Sequence, residues 1–223
     1  GFAVTWHSQN QDVVDTSYGV VTRLFDNTGT ATTDEIVVNT FTAGEQAHAS
    51  ITQLADGDLV YAWQSGDQDE NVNGGLVEYG VYGQRMSTEG VLIEDEFLIN
   101  TSLPGSQWQP QLLALADGGY ASFWASDSAL NSNHEIMGRF FNSDGVQTVA
   151  EFQVNTVGTY PDNYPNAVQL TNGNIVVSWY SNGQDGDAGG AYARIFTSGG
   201  TEVVADFRLS TSTVSEQGVP VMT

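Results

Sequence analysis

The sequence predicts an all-β protein, namely a β-propeller of four four-stranded antiparallel blades. A sequence pattern recurs four times along the chain, and no stretch shows the sustained 3.6-residue periodicity of a helix. In three copies a tight turn joins two apolar runs, at Asp56-Gly57, Asp117-Gly118 and Asn172-Gly173. Because such turns need the positive φ that glycine supplies, each one indicates a β-hairpin.

Three anchors set the register of the four copies. The second strand of each copy carries a tryptophan: Trp6, Trp63, Trp124 and Trp179. The third strand ends at Phe25, Met86, Phe141 and Phe196, and 14 residues later come Asn39, Asn100, Asn155 and Ser210. Only the segment from the tryptophan to the end of the third strand varies, between 17 and 23 residues. Fixed strands with one variable connection are typical of a scaffold that carries a specialised loop.

Four antiparallel strands in about 50 residues match the size of a propeller blade. The predicted blades are 1–40 plus 217–223, 46–101, 107–156 and 162–211, within one domain spanning residues 1–223. Gln217–Thr223 aligns with the first strand of the other copies, and Gly1–Trp6 aligns with the second. We therefore expect the C-terminal strand to pair with the N-terminal blade and close the ring. The alternative is four blades of a larger ring.

Composition limits the partners. The chain has 27 acidic residues against five basic ones and a formal net charge of −22. Such a chain repels phosphate backbones and anionic membrane surfaces, so we expect no nucleic-acid partner and no membrane insertion. There are no cysteines, which excludes disulfides and thiolate metal sites. No apolar run approaches the roughly 20 residues that span a bilayer. This composition favours a secreted or cell-surface protein.

Four elements of the repeat form a recognisable pattern: Asp117-Gly118-Gly119, Trp124 with Ser126, the loop Gln184-Asp185-Gly186-Asp187, and Phe152 with Val154-Asn155-Thr156. This pattern resembles the repeats of large secreted bacterial proteins of the RTX type. The resemblance covers all four copies and implies a calcium-associated bacterial adhesin or surface protein. The blades are also similar to those of TolB-type propellers. The chain lacks the glycine-rich nonapeptides of the RTX calcium roll, so the resemblance does not extend to that kind of calcium site.

The variable loops carry candidate metal ligands. Calcium takes six to eight oxygen ligands, and alternating carboxylates of one short loop can face a common centre. Asp-x-Asp spacing occurs twice, and a third loop adds two further acids; the candidates are Asp67, Asp69, Asp185, Asp187, Asp12 and Asp15. Calcium is therefore the one cofactor that the sequence predicts. In the alternative interpretation these residues set polar turns through bonds to the backbone.

Three aromatic residues outside the repeat pattern are candidate ligand-binding residues. Trp108 occupies a position where the other copies have Ala47, Asn163 and Gly218. Tyr160 and Tyr164 lie in the matching connection of the next copy. Aromatic side chains beside amides and acids are typical of surfaces that contact carbohydrate or protein. In the alternative interpretation they cap the hydrophobic ends of neighbouring blades.

Arginines and acids also recur in register, and we interpret them as structural. Both sets precede the Asn39, Asn100, Asn155 and Ser210 anchor at fixed distances. The arginines, 16 residues before it, are Arg23, Arg139 and Arg194, and the acids, four residues before it, are Glu35, Glu96, Glu151 and Asp206. Their repetition predicts arginine–carboxylate pairs between strands or adjacent blades. The alternative is an arginine ring that binds an anionic sugar. The repeated tryptophans are predicted to be packing residues.

No catalytic motif stands out. The chain has no Gly-x-Ser-x-Gly elbow and no phosphate-binding loop, and nothing singles out a pair of acids for glycoside hydrolysis. These observations favour a non-catalytic binding or adhesion module that recognises glycan or another surface ligand through loops on one face. One alternative is a self-associating structural unit of a surface layer or filament. The other is a polysaccharide-degrading enzyme with a site in the central channel.

Overall fold

The computed structural model describes residues 1–11, 17–68, 78–101, 105–127, 134–156, 158 and 160–223. In these residues the chain forms fifteen β-strands and no helix. None of them therefore forms a helix long and apolar enough to cross a membrane. The chain divides into two compact units, Gly1–Leu112 and Leu113–Thr223.

The first unit holds two antiparallel sheets. Their strands are β1 Phe2–Gln9, β2 Tyr18–Phe25, β3 Ile36–Val37, β4 Gln46–Gln53, β5 Leu59–Gly66, β6 Tyr79–Met86 and β7 Leu92–Leu98. The sheet orders are β1-β2-β3 and β4-β5-β6-β7, so spatial order follows chain order. This arrangement is the meander expected of propeller blades.

The second unit repeats the meander. Its strands are β8 Gln107–Ala114, β9 Tyr120–Asp127, β10 His134–Phe141, β11 Gln147–Gln153, β12 Asp162–Gln169, β13 Ile175–Asn182, β14 Gly189–Phe196 and β15 Glu202–Arg208. The sheet orders are β11-β10-β9-β8 and β12-β13-β14-β15. The division between the units falls within β8. The predicted all-β propeller fold with four antiparallel blades is confirmed.

The first sheet has three strands where four were predicted. The missing strand is the one expected from the C-terminal segment, and residues 217–223 carry no strand. The segment instead donates backbone hydrogen bonds within the second unit, from Gln217 N to Gly189 O (2.7 Å) and from Met222 N to Asn166 Oδ1 (3.0 Å). Closure of the ring by this segment stays a prediction.

Glycine makes the three predicted hairpin turns. Gly57, Gly118 and Gly173 have φ of 100°, 93° and 86°, values that other residues rarely adopt. Each donates its backbone N–H to the leucine three residues earlier, at 2.9–3.0 Å. The turns therefore connect β4 to β5, β8 to β9 and β12 to β13 as the sequence predicted.

The tryptophans fill the cores of the blades. Trp63, Trp124 and Trp179 are fully buried on the second strands of their sheets, whereas Trp6 on β1 is half-buried. In the first unit Trp63 packs in a cluster with Tyr61 and Met86. Truncating such a side chain to alanine costs about 3–5 kcal/mol, since it leaves a cavity. The prediction that the tryptophans are packing residues is confirmed for these three.

A β-bulge interrupts the first strand of three blades at the same position. His48, Gln109 and Tyr164 have φ of 53°, 56° and 55°, in the left-handed region that non-glycine residues rarely adopt. The strand register shifts between Ala47 and Ser50, and likewise between Asn163 and Asn166. The unusual backbone of Tyr164 is thus a property of the repeat.

The predicted arginine–carboxylate pair forms once among the described residues. Arg194 Nε donates to Asp206 Oδ1 at 2.6 Å. Arg85 instead binds two acids of the neighbouring hairpin turn, Asp56 (2.6 Å) and Asp58 (2.8 Å). Among the other three arginines, Arg23 donates to Thr33 O, Arg139 to Gln147 Oε1 and Arg208 to Thr211 O. An arginine side chain is long enough to reach several acceptors, so fixed spacing did not determine its partner.

Two of the repeated acids, Glu96 and Asp206, also bind the backbone of the preceding copy. Glu96 Oε1 accepts the N–H groups of Thr40 and Phe41. Asp206 Oδ2 accepts the N–H of Thr156 at 2.9 Å. Hydrogen bonds from backbone N–H groups to a carboxylate are among the stronger ones in proteins, so these contacts stabilise the connections between blades.

Candidate functional site

An asparagine ties the strands together at one end of three blades. Its Oδ1 accepts the backbone N–H of the residue 19 positions earlier, at 2.7–2.9 Å, in the pairs Val20–Asn39, Val81–Asn100 and Ile136–Asn155. The three asparagines are at most 4% exposed. We call each asparagine with its hydrogen-bond partners an asparagine joint. Because the carbonyl side of the amide is fixed in the same way each time, the joints differ only in what the Nδ2 group binds.

The first two joints bind a neutral acceptor. Asn39 Nδ2 lies 3.4 Å from Gln46 Oε1, and Asn100 Nδ2 lies 3.0 Å from Gln107 Oε1. A glutamine also stands seven residues after the fourth anchor, Ser210, where Gln217 Oε1 accepts from the Ser210 hydroxyl. At the third joint the equivalent residue is Asp162, the first residue of β12 in the next blade, and Asn155 Nδ2 donates to its Oδ2 at 2.6 Å.

A second acid reaches the same amide. Glu135 is the second residue of β10, where the other copies have Gly19, Gly80 and Gly190. Glu135 Oε2 accepts from Asn155 Nδ2 at 2.7 Å and from Gln153 Nε2 at 2.9 Å. Since Asp162 binds the same nitrogen, the two accepting carboxylate oxygens lie no more than about 5.3 Å apart. We call Glu135 and Asp162 the carboxylate pair.

The carboxylate pair is buried. Glu135 is 5% exposed and Asp162 is 3% exposed. The Gly158 backbone also hydrogen-bonds Glu135, and the Ser181 side chain also hydrogen-bonds Asp162. Acidic side chains are almost never fully buried unless a positive charge pairs with them, so two buried acids on one amide call for an explanation beyond packing.

Burial changes the proton affinity of both acids. Loss of solvent raises the pKa of Asp162 to about 7; hydrogen bonds from Ser181 and Asn155 act to lower the pKa, and the negative charges of Glu135 and Asp206 act to raise it. Burial also raises the pKa of Glu135. Two interacting carboxyl groups titrate as a unit, so the pair retains a proton up to near-neutral pH. A carboxylic acid beside a carboxylate is an arrangement suited to proton transfer.

The pair lies at the blade end that carries the variable loops. Glu135 follows the 127–134 connection between β9 and β10, and Asp162 is paired in register with Ser181, near the end of β13. Nearby, His134 Nδ1 lies 2.9 Å from Asn163 Oδ1. The predicted loop end of the repeat and the buried acids therefore coincide in this unit.

The predicted aromatic residues fall in different units. Trp108 is half-buried near the start of β8, in the first unit. Tyr160 and Tyr164, in the second unit, are 40% and 46% exposed and stand two residues before and after Asp162. The ring of Tyr160 lies over Gly183, where an added Cβ would meet it at 3.0 Å. Both tyrosines thus present aromatic surface close in sequence to the carboxylate pair, and their role in ligand binding stays a prediction.

Three of the six predicted calcium ligands, Asp12, Asp15 and Asp69, lie outside the described residues. Asp185 Oδ1 accepts the N–H of Asp187 at 3.3 Å, and Asp187 Oδ2 accepts the N–H of Ser215 at 2.8 Å. Among the described residues no group of three or more His, Asp or Glu side chains is placed to hold a metal ion. Calcium binding at Asp67, Asp185 and the other loop acids stays a prediction.

Sequence reasoning missed the carboxylate pair because it searched the loops and set aside the repeated positions. The signal was present in the register of the copies. Glu135 replaces a glycine and Asp162 replaces a glutamine that the three other copies keep. That the two replacements meet at Asn155 required the structure.

No protein-family model and no curated protein matches the chain. Several solved structures match its fold. A protein of unknown function from Dyadobacter fermentans superposes with a TM-score of 0.68 at 12% identity, over 92% of this chain and 65% of that one. The α-L-arabinanase of Penicillium chrysogenum, complexed with arabinobiose, has a TM-score of 0.63 at 15% identity, over 89% and 60%. The endo-arabinase of Bacteroides thetaiotaomicron gives 0.53 at 13%, over 95% and 78%. At these identities the likeness shows the fold.

The comparisons correct two expectations. A non-catalytic adhesion module was predicted, and with it that the chain is not an enzyme. Both predictions are contradicted, because the structures that share the fold include arabinanases, α-L-arabinofuranosidases and a thermostable family-43 glycoside hydrolase. The chain spans less than two thirds of the Dyadobacter and Penicillium proteins.

Proposed function

We propose that this chain hydrolyses glycosidic bonds of a polysaccharide, with Glu135 and Asp162 as its two carboxylates. One observation carries the proposal: two buried acids replace neutral scaffold residues and converge on Asn155. The fold that the chain shares with arabinanases and arabinofuranosidases supports it. Glycosidases of most kinds use a pair of Asp or Glu residues that flank the scissile bond.

The proton affinities suggest a division of labour. Since burial raises the pKa of Asp162 to about 7, this residue would hold the shared proton at neutral pH and donate it to the glycosidic oxygen as the bond breaks. Glu135 would remain charged and attack or stabilise the anomeric carbon. Water would then attack the anomeric carbon and break its bond to Glu135. Asp162 would take up a proton from that water, which restores both groups to their starting states.

The spacing favours retention of configuration. Retaining glycosidases have carboxyl groups about 5–5.5 Å apart, whereas inverting enzymes need about 6.5–9.5 Å to admit a water molecule. The upper limit of about 5.3 Å between Glu135 Oε2 and Asp162 Oδ2 supports the shorter class. Asn155 would act as a positioning residue, because it fixes both acids through one amide group.

Hydrolysis also requires the buried pair to become accessible to the sugar. Because Glu135 and Asp162 are 5% and 3% exposed, the side chains around the pair must move for a sugar to reach them. If the pair is a purely structural network, no such opening occurs and the acids affect stability alone.

The test is release of reducing sugar from linear and branched arabinan by the natural chain and by Glu135→Gln and Asp162→Asn. We expect each variant to lose activity by about 100-fold or more, the usual contribution of acid–base catalysis. Asp144→Asn, which changes an exposed acid in a turn of the same blade, is the matched control and should keep full activity. Two results would overturn the proposal: no release from any neutral polysaccharide by the natural chain, or full activity of both variants.

A further inference from the structure

A second cleft, in the first unit, holds the aromatic residue that the repeat does not explain. The Trp108 cleft has a volume of about 300 Å³ and is lined by His48, Gln64, Tyr79, Ser106, Trp108 and Gln109. This volume is at the lower end of the range for small-molecule sites, about 300–1,000 Å³. None of the lining residues belongs to the carboxylate pair, so the cleft is a separate feature of the chain.

The indole is not required by the scaffold. The equivalent residue in the neighbouring blade is Ala47, which is 2% exposed and fully accommodated by the same backbone, while the other copies have Asn163 and Gly218. Trp108 is half-buried and lines the cleft. A large aromatic side chain in the wall of a cleft is a usual binding element.

Two hydrogen bonds hold the strand on either side of Trp108. The N–H of Tyr79 donates to Ser106 Oγ at 3.3 Å, and the N–H of Gln109 donates to Gln64 Oε1 at 3.3 Å. Gln109 is also the bulge residue, with φ of 56°. The backbone around the indole is therefore fixed before a ligand arrives, which lowers the entropic cost of binding.

The chemistry of the lining identifies the ligand class. Two aromatic rings line the cleft together with the amides of Gln64 and Gln109 and the hydroxyl of Ser106, and none of the described lining residues is Asp, Glu, Arg or Lys. Nearby, the Tyr79 hydroxyl donates to Glu45 Oε2 at 3.4 Å, which places a negative charge at its margin. Aromatic faces bind the C–H surface of a sugar ring, and amides bind its hydroxyls, whereas the negative margin disfavours anionic sugars.

We propose that the Trp108 cleft is an accessory site that holds a sugar ring of an uncharged polysaccharide, with Trp108 as the stacking platform. The site has no catalytic group of its own. It goes beyond the proposed hydrolysis, because it binds the chain of sugars whether or not the carboxylate pair cleaves it.

The test is affinity gel electrophoresis at 4 °C in gels that contain arabinan, arabinoxylan or polygalacturonate. We expect the neutral polysaccharides to retard the natural chain and polygalacturonate to have no effect. Trp108→Ala should weaken the apparent affinity about tenfold, the loss typical of a central aromatic contact. Trp108→Phe keeps an aromatic face and should stay within about threefold of the natural chain.

Val91→Ala, which truncates an exposed apolar side chain in the turn before β7, is the control and should leave retardation unchanged. Thermal unfolding of Trp108→Ala checks that the variant folds. Equal retardation of Trp108→Ala and the natural chain overturns the proposal, as does the absence of retardation by both neutral polysaccharides. Equal retardation by polygalacturonate overturns the ligand class. If Trp108→Ala loses retardation and the natural chain shows no hydrolysis, the binding site is supported and the proposed hydrolytic activity is overturned.

Discussion

The asparagine joints of Asn100 and Asn155 have the same hydrogen bond to the backbone but differ in the charge of the side chains that the amide nitrogen binds. Asn100 donates to Gln107, whose own amide donates to Gly105 O, so every group of that joint is neutral. Asn155 donates to two carboxylates, Asp162 and Glu135, from the same nitrogen. In both joints the asparagine oxygen accepts a backbone N–H at 2.7–2.9 Å.

This comparison distinguishes the residues that the fold requires from the two acids that it does not require. A neutral acceptor seven residues after the asparagine is sufficient to complete a joint, because the joints of Asn39 and Asn100 are built in that way, and Ser210 binds Gln217 at the same spacing. Burying two acids at one joint costs free energy, since carboxylates lose their hydration. A residue pair that weakens the scaffold in one copy alone is a candidate for function.

The largest effect on stability should come from pH. Because burial raises the pKa of Asp162 to about 7, the folded chain retains a proton that the unfolded chain releases near the ordinary value of 3.8. The contribution of Asp162 to the free energy of unfolding is therefore fully present below about pH 4 and is lost as pH rises to about 7. The loss is at most about 4 kcal/mol, since one pKa unit corresponds to about 1.4 kcal/mol.

Asp162→Gln installs the residue of the other joints and should remove this decline, as measured by urea unfolding between pH 4.5 and 8. Gln107→Glu, its mirror image in the first unit, should introduce a decline of its own. Parallel stability profiles for Asp162→Gln and the natural chain would show that the acid is not buried as described.

A smaller effect should come from removing the amide of each joint. Asn100→Ala deletes one neutral bond and leaves the N–H of Val81 unpaired, at a cost of about 1–3 kcal/mol. Asn155→Ala does the same to Ile136 and also leaves two buried acids without their shared donor. We expect it to cost about 1–2 kcal/mol more at pH 8, because unpaired buried charges are costlier than unpaired neutral groups.

The excess cost of Asn155→Ala should shrink at pH 5, where the acids gain protons. Denaturant unfolding of both variants at the two pH values measures it. Equal costs at pH 8 would mean that the two joints are energetically alike, contrary to the comparison.

The smallest effect concerns the bulge that both joints share. Tyr164 and Gln109 have φ of 55° and 56°, so Tyr164→Gly and Gln109→Gly should relieve local strain and raise the free energy of unfolding by less than about 1 kcal/mol. Ala167→Gly, five residues after Asp162 and within β12, should instead lower it by about 0.5–1 kcal/mol. Thermal unfolding distinguishes the two signs. A loss of stability in Tyr164→Gly alone would mean that its ring packs against the blade.

The sequence predicted the elements that local chemistry determines. Asp56-Gly57 and its equivalents specify hairpins because only a few residues adopt the turn, and the spacing of Trp63 and Trp124 carries the register from copy to copy. Closure of the ring by the C-terminal segment stays a prediction, because it depends on residues more than 200 positions apart rather than on a turn. The arginine–carboxylate prediction is confirmed for Arg194 with Asp206, whereas Arg85 binds Asp56 and Asp58, because the partner of a long side chain depends on the three-dimensional arrangement.

The candidate site escaped prediction because its residues are distant in sequence and ordinary in type. Glu135 and Asp162 are 27 positions apart and are two of 27 acids. Their meeting depends on Asn155, which lies between them in sequence and contacts both. Comparing each repeat position across the four copies would have singled out both acids, although not their convergence.

The acids that reach back to the preceding copy have a consequence for the origin of the chain. Glu96 accepts from Thr40, and Asp206 accepts from Thr156, so one copy supplies the acceptor and its predecessor supplies the donor. A gene segment that encodes one copy therefore contains both halves of this contact. When such a segment is duplicated in tandem, each new blade arrives already able to join its neighbours.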